Sequence, residues 1–243
     1  MQKHLNVFLG VCVLNNKEYL VQKRALDVFC STLGIILTLP VWIIAIIGIE
    51  ISDPGSIFYV ANRVGEGNKT FKMYKFRSMR NGKANEAVFR GDENRIFPFG
   101  KFIRKTKIDE LPQLLNILLG SMSLVGPRPA AVDQMSITRG GKYKASGKVQ
   151  AGLTGPSALY DYIYGDAVED SDDYENLVLP TRLELDLYYL KHMSMAFDIK
   201  MIVWTVIAVV GEVIGHKPKW MYKKLVKWVS KEVRETNKEK VTQ

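Results

Sequence analysis

The 243-residue chain carries only two cysteines, Cys12 and Cys30, and three histidines, His4, His192 and His216. Two cysteines cannot build a disulfide framework, and Cys30 lies in an apolar run, which points to a reducing, cytosol-facing setting. The histidines show no metal-ligand spacing among themselves or with the cysteines, which argues against a zinc site. There is no Walker-type phosphate loop, no GxGxxG fingerprint and no GxSxG elbow, so the commoner ways of handling nucleotides and acyl groups are missing. No nucleic-acid-binding module is recognisable either. The one long apolar run starts too late for a signal peptide, and no small-x-small cleavage site follows it.

Positive charge, by contrast, is plentiful. Lysines and arginines number 34 against 25 acids, a net charge of +9. That excess suits membrane headgroups, nucleic acid or a phosphorylated substrate. The apolar run and the missing module weigh against nucleic acid. At this length the chain can bury a real core, as one domain with appendages.

From Val28 to Ile49 no charged residue occurs. By length this stretch could span the roughly 30 Å of a bilayer core. Pro40 sits near its middle, where it removes a hydrogen bond and bends a helix. Both flanks are basic: Lys23 and Arg24 precede the run, and Arg63, Lys69, Lys72, Lys75, Arg77 and Arg80 follow it. The positive-inside rule places each flank in the cytoplasm, which a single crossing cannot satisfy. Broken at Pro40, each arm reaches only about 18 Å at 1.5 Å per residue, roughly half a bilayer. A re-entrant helical hairpin is therefore preferred to a true span. At the other end, residues 217–231 mix Trp220, Tyr222, Leu225 and Trp228 with six lysines. They read as a helix lying at headgroup level, the alternative being a basic tail packed on the domain. Residues 232–243 are polar and read as disordered.

In the middle of the chain, residues 56–60 and 70–79 read as strands around the turn at Gly65–Lys69. Alternation puts Lys75 and Arg77 on one face, either as an exposed edge guarded against aggregation or as phosphate contacts. Residues 81–97 and the glycine- and acid-rich stretch around 152–180, with its several tyrosines, read as loops. Residues 182–206 return to helical periodicity.

The most informative segment is 107–129, KIDELPQLLNILLGSMSLVGPRP. Leu111, Leu114, Leu115 and Leu118 define the buried face of a helix, with Pro112 in its first turn and Gly120 as its stop. Asp109 and Glu110 stand at the mouth of that helix, and Pro127 and Pro129 clamp Arg128 between fixed dihedrals. Taken alone, the acids are ordinary helix-capping residues. Preceded by Lys101, Arg104, Lys105 and Lys107, they fit a metal–nucleotide site better.

These segments, in this order, resemble the bacterial sugar transferase family: monotopic phosphoglycosyl transferases that load a sugar phosphate onto a polyprenyl phosphate carrier. Lys23-Arg24, Asp27 and Pro40 match its membrane helix, and Pro54-Gly55, Phe58, Arg63, Gly65, Phe71 and Lys75 to Met79 its next block. Asp109 to Leu114 resembles the catalytic motif, and Met122 to Pro129 the loop after it. Gly152 to Gly155, Leu185-Asp186, Tyr189, Ser194 and Asp198 match later blocks, so the likeness covers residues 22 to 206. The chain departs from the family at Leu39, Ala61, Ser121, Ala151 and Pro156, none of which is an expected catalytic group. The first 20 residues and the tail after 206 have no counterpart.

The resemblance implies an α+β fold: a small, mainly helical, membrane-associated domain with a re-entrant N-terminal helical hairpin, a short β-hairpin and interfacial amphipathic helices. The expected divisions are an N-terminal extension (1–22), the re-entrant helix-break-helix with its break at Pro40 (23–53), a catalytic domain (54–206), and a basic interfacial helix and tail (207–243). The expected partners are a UDP-sugar, polyprenyl phosphate and membrane lipids at the cytoplasmic face of the bacterial inner membrane; a homodimer is left open. Asp109 is the expected nucleophile, with Glu110 supporting a Mg²⁺ ion or positioning Asp109, and both acids as metal ligands. Lys75, Arg77, Arg104 and Arg128 are the expected phosphate and nucleotide contacts. A carboxylate is a weak nucleophile, but it becomes competent when the electrophile's charge is neutralised. A helix N-terminus should also keep it ionised. Two rivals use the same residues differently: a metal-dependent lipid-phosphate hydrolase, and a non-catalytic membrane scaffold.

Overall fold

The computed structural model describes residues 17–80, 95–165, 168, 171–216 and 218–241. Residues 1–16 and most of the expected 81–97 loop lie outside the described residues. The first element, α1 (Lys17–Ser52), runs 36 residues with Pro40 inside it, about 54 Å at 1.5 Å per residue. The helix is continuous through the proline, so the break expected there is absent from the secondary structure. Packing explains the continuity, because both halves lie against one body. The first half buries Tyr19, Lys23, Asp27 and Ser31, and the second buries Trp42, Ala45 and Ile49. Gly48 leaves the space that the Phe99 ring fills. The outer face exposes Phe29, Leu33, Ile36, Leu37, Ile43, Ile44 and Ile47. In its first half this helix therefore turns polar groups inward and apolar groups outward, the reverse of a surface helix in water.

Strands β1 (Phe58–Val64) and β2 (Thr70–Phe76) form the expected hairpin, paired from Phe58↔Phe76 to Val64↔Thr70. β2 ends at Phe76, one residue before Arg77. Next come α2 (Pro98–Lys105), a 3-10 turn at Ile108–Glu110 and α3 (Gln113–Leu118). The buried face of α3 is Gln113, Leu114, Asn116 and Ile117. It is rotated from the leucine stripe expected, because the acids occupy a separate turn ahead of the helix. Gly120 does end the segment, at φ +85°.

β3 (Ser123–Val125) pairs in parallel with β5 (Gly152–Thr154), and β4 (Ala130–Ala131) adds to the free edge of β1. Between β4 and β5 lie α4 (Met135–Thr138) and a 3-10 stretch, Gly141–Lys148. Gly126 and Gly152 face each other so closely that a Cβ on either would strike main-chain atoms. The remaining helices are α5 (Pro156–Ile163), α6 (Leu179–His192), α7 (Met195–Val213) and α8 (Lys219–Val241).

The expected loop around 152–180 is thus largely helical: α5 and a π-helical turn at Tyr174–Val178 occupy it. Within it Tyr160, Tyr162, Tyr174 and Asp161 are all buried. Ser194 caps α7 by accepting the Phe197 N–H at 3.3 Å, and α7 continues past the expected division at 206. The C-terminal segment is a helix packed on the domain, with Met221 and Leu225 fully buried. That helix continues to Val241, through the stretch that read as disordered. The larger core joins α3, β3, β5 and the helices from α5 onward. A smaller one gathers Trp42, Ala45 and Ile49 of α1 with Phe76, Phe97 and Ile103.

Candidate active site

The site begins with an asparagine. Asn116 on α3 accepts the Tyr74 N–H through Oδ1 at 2.9 Å and donates from Nδ2 to the Lys72 carbonyl at 2.7 Å. Its side chain takes the place of a neighbouring strand along β2. The same Nδ2 reaches Ser121 Oγ at 3.0 Å, so the departure at Ser121 closes the helix end. This docking sets the strand bearing Lys75 beside the turn bearing the acids, and Lys75 Nζ lies 3.0 Å from Glu110 Oε1.

Lys107 turns the chain ahead of the acids from the left-handed region, at φ +57°. That conformation costs a lysine about 1–2 kcal/mol. Its ammonium lies 4.5 Å from the centre of the Tyr162 ring, a contact of about 0.5–2 kcal/mol that offsets part of the cost.

Asp109 and Glu110 then line a cavity of about 520 Å³ with Lys75, Arg104, Lys107, Arg128 and Arg182. Asp109 is 6% exposed, and its Oδ1 has no hydrogen-bond partner within the protein. Burial pushes its carboxyl above the ordinary value; Lys75 opposes that shift and Glu110 reinforces it. Desolvation thus opposes the ionisation expected from a helix N-terminus. Glu110 goes the other way. Burial would raise it, but Lys75, Lys107 and Arg128 together hold it well below the usual carboxylate range. Adjacent acids are thereby set apart, one shifted upward and the other downward.

Asp161, which also lines the cavity, gathers two arginines. Its Oδ2 is 3.2 Å from Arg128 Nε and 3.8 Å from Arg182 Nη1. Tyr174 donates its hydroxyl to Asp161 Oδ1 at 2.7 Å and accepts from Arg182 at 2.6 Å. Burial would raise the Asp161 carboxyl, yet Arg128 and Arg182 outweigh it and keep it low. Asp161, Tyr174 and Arg182 were not legible as site residues, since nothing in their local pattern separates them from surface polar groups. Arg63, half-buried on β1, also lines the cavity.

Of the expected phosphate contacts, Lys75, Arg104 and Arg128 come together here and Arg77 does not. Arg77 is buried away from the cavity, where its guanidinium binds Asp53 and donates to the main-chain carbonyls of Asp53 and Ser56. It lies one residue beyond the strand whose alternation would have aimed it with Lys75, and it secures the end of α1. Pro40 lies within α1 and also outside the cavity. Replacing Arg77 by Met should cost about 3 kcal/mol, the low end for breaking a buried pair because Asp53 keeps some solvent. A thermal melt would read that loss, and donor KM should stay unchanged where the variant is folded.

Mg²⁺ takes one or two carboxylates and fills its octahedron with water and substrate phosphates. A buried, unpartnered Asp109 oxygen beside a second carboxylate fits that donor set. Among the described residues no group of three or more metal-ligating side chains exists, so the protein's share would be these two acids.

Residues 18–212 match the bacterial sugar transferase family. The chain is 35% identical over 199 residues to the UDP-N-acetylgalactosamine-undecaprenyl-phosphate N-acetylgalactosaminephosphotransferase of Aeromonas hydrophila, covering 80% of this chain and 45% of that protein. It is 35% identical over 190 residues to the UDP-glucose:undecaprenyl-phosphate glucose-1-phosphate transferase of Escherichia coli (strain K12), covering 76% of this chain and 39% of that protein. The chain thus spans less than half the length of these relatives. By contrast, the match to an exopolysaccharide production protein of Sinorhizobium fredii, 32% identical over 208 residues, covers 78% of this chain and 85% of that protein. The matched stretch contains the acid pair and the arginines that line the cavity with it, and the chain belongs to the bacterial sugar transferase family.

Proposed function

We propose that the protein transfers a sugar-1-phosphate from a UDP-sugar to undecaprenyl phosphate, as the first membrane step of a polysaccharide or other glycoconjugate. One observation carries this reading: Asp109, which has a buried, unpartnered carboxylate oxygen, lines a cavity rich in arginine and lysine. The relatives named for undecaprenyl-phosphate transfer supply the substrate class.

In the first step an Asp109 oxygen attacks the sugar-linked phosphorus of the donor. The bond from that phosphorus to the bridging oxygen breaks, and UMP leaves with the bridging oxygen and its electron pair. The phosphosugar stays on the carboxylate as a mixed anhydride. In the second step an oxygen of undecaprenyl phosphate attacks the same phosphorus, the Asp109–phosphorus bond breaks, and the carboxylate is regenerated. Arg128 and Arg182, held by Asp161, offer the planar donors suited to the diphosphate. Lys75 keeps Glu110 charged and lowers the penalty on the Asp109 carboxylate. Mg²⁺, held by Asp109 and Glu110, would supply charge neutralisation at the phosphates.

Membrane association at the cytoplasmic face is part of the proposal. The apolar outer face of α1 continues in exposed Ile199, Val203, Val206, Ile207 and Val210 of α7, which forms a surface suited to lipid. Both ends of α1 are tied to the same globular body, Lys23 to Asp198 and Asp53 to Arg77. A helix that crossed the bilayer would carry one end away from that body, which supports the reading that both ends of α1 lie on one side. Single cysteines at exposed positions 17 and 69, in a background lacking Cys12 and Cys30, should both resist a membrane-impermeant thiol reagent on intact cells. Labelling at 17 with protection at 69 would establish a crossing instead.

The deciding assay incubates the full chain, in vesicles containing undecaprenyl phosphate, with a panel of UDP-sugars and follows UMP. Release with at least one donor, together with lipid-linked sugar diphosphate, is expected. It should stop with EDTA and return with Mg²⁺. UMP release with free sugar phosphate and no lipid product would make the protein a hydrolase, and no turnover with any donor would favour a scaffold.

A further inference from the structure

The matched family region ends at residue 212, and α8 begins at Lys219, beyond it. Even so, α8 is built into the domain, with Met221 and Leu225 at 0% exposure. Between these two anchors Tyr222 turns onto α5. Its ring lies 5.7 Å from that of Tyr160, with 20° between the planes, and 4.9 Å from that of Tyr164. Tyr160 and Tyr164 are one helical turn apart, so a single ring spans both and grips that face of α5. The residues between them include Asp161 and Tyr162, which line the catalytic cavity. Trp228, further along α8, stacks elsewhere: on Tyr188 of α6 at 5.1 Å and on Trp204 of α7 at 5.5 Å.

We infer that Tyr222 is a positioning residue of the donor cavity, acting through Tyr160 and Tyr164 to fix α5 and with it the Asp161 carboxylate that holds Arg128 and Arg182. The inference rests on the proposed UDP-sugar reading for its ligand, but its structural part stands on the stack alone. Asp161 reaches Arg128 at 3.2 Å and Arg182 at 3.8 Å, and Arg182 also through the Tyr174 hydroxyl. A small rotation of α5 would lengthen both and spread the two guanidiniums. Aromatic pairs of this spacing prefer defined geometries, which suits a clamp better than aliphatic contact would. Deeper burial of α8 alone would stabilise the domain without favouring any one direction of α5.

The test compares Tyr222→Ala, Tyr222→Phe and Trp228→Leu in the full chain, with UDP as the calorimetric probe and thermal melting as the measure of stability. Tyr222→Ala should weaken UDP binding by about tenfold, as expected when two phosphate donors lose their fixed geometry. Tyr222→Phe keeps the ring and should bind within about twofold of the wild type. Trp228→Leu should lower the melting temperature yet leave UDP affinity within about twofold, because it touches neither α5 nor the cavity. Unchanged affinity in Tyr222→Ala, or an equal loss in Trp228→Leu, would overturn the inference. If the wild type binds no UDP, the donor reading fails by itself. Amide exchange across residues 156–163 then decides the positioning role: faster exchange in Tyr222→Ala but not in Trp228→Leu supports it, and equal exchange in both defeats it.

Discussion

Asp109→Asn should abolish transfer, lowering turnover on the order of 10³-fold or more, the scale of removing a covalent nucleophile. The same variant should fold and remain membrane-bound. Asp109 Oδ1 makes no hydrogen bond within the protein, so the amide breaks no such contact there and nearly preserves the volume. Burial already disfavours the charged carboxylate, and a neutral amide avoids that desolvation cost. Its melting temperature should therefore equal or exceed that of the wild type. Loss of activity with retained or raised stability is the signature of a group kept for chemistry rather than for folding. Glu110→Gln should differ on both counts. It removes the partner of Lys75, 3.0 Å away, and should lose activity together with some stability. UMP release by Asp109→Asn at a near-normal rate would end the covalent mechanism and direct attention to Glu110 or to direct in-line transfer.

Local chemistry was legible in the sequence where neighbours in the chain are neighbours in space. The acid pair, Arg104 and Lys107 lie within seven residues of one another, and they share the cavity. The β-hairpin was legible for the same reason, since its strands pair across one short turn. Arg77 misled because alternation holds only while the strand lasts, and β2 stops at Phe76. The stretch after Gly152 read as a loop because its glycines, acids and tyrosines show no clear period, whereas Asp161 lies buried in α5 and holds two arginines. Those arginines lie 33 residues before and 21 residues after it, too far for any periodic pattern to register. Pro40 misled in another way: the loss of one hydrogen bond is a local cost of about 3 kcal/mol. Burial of Trp42, Ala45 and Ile49 beyond it offsets that cost, at about 1.5–3 kcal/mol for a large apolar side chain.

Lys23→Met should produce the largest loss of stability of any single change in α1. The Lys23 ammonium donates to the Val125 carbonyl and to Asp198 Oδ2, each at 2.8 Å. Asp198 is fully buried and also accepts hydroxyls from Tyr19 at 2.8 Å and Tyr189 at 2.9 Å. Without the lysine, two neutral donors are left to stabilise a charge that water cannot reach. Removing one partner of a buried pair costs about 3–5 kcal/mol, and the position of Asp198 in the first turn of α7 favours the lower figure. The damage should reach the candidate site, because Val125 directly precedes Gly126-Pro127-Arg128 and Tyr189 binds the same carbonyl at 3.1 Å. Activity should therefore fall even at temperatures where the variant is folded. Adding Asp198→Asn removes the stranded charge and should recover at least about half of the lost stability, a coupling that a double-mutant cycle measures directly. Activity should recover less, since neither substituted side chain can restore the ammonium's bond to Val125. A loss below about 1 kcal/mol in Lys23→Met, or a double variant no more stable than the single one, would mean that the pair does not hold α1 to the site.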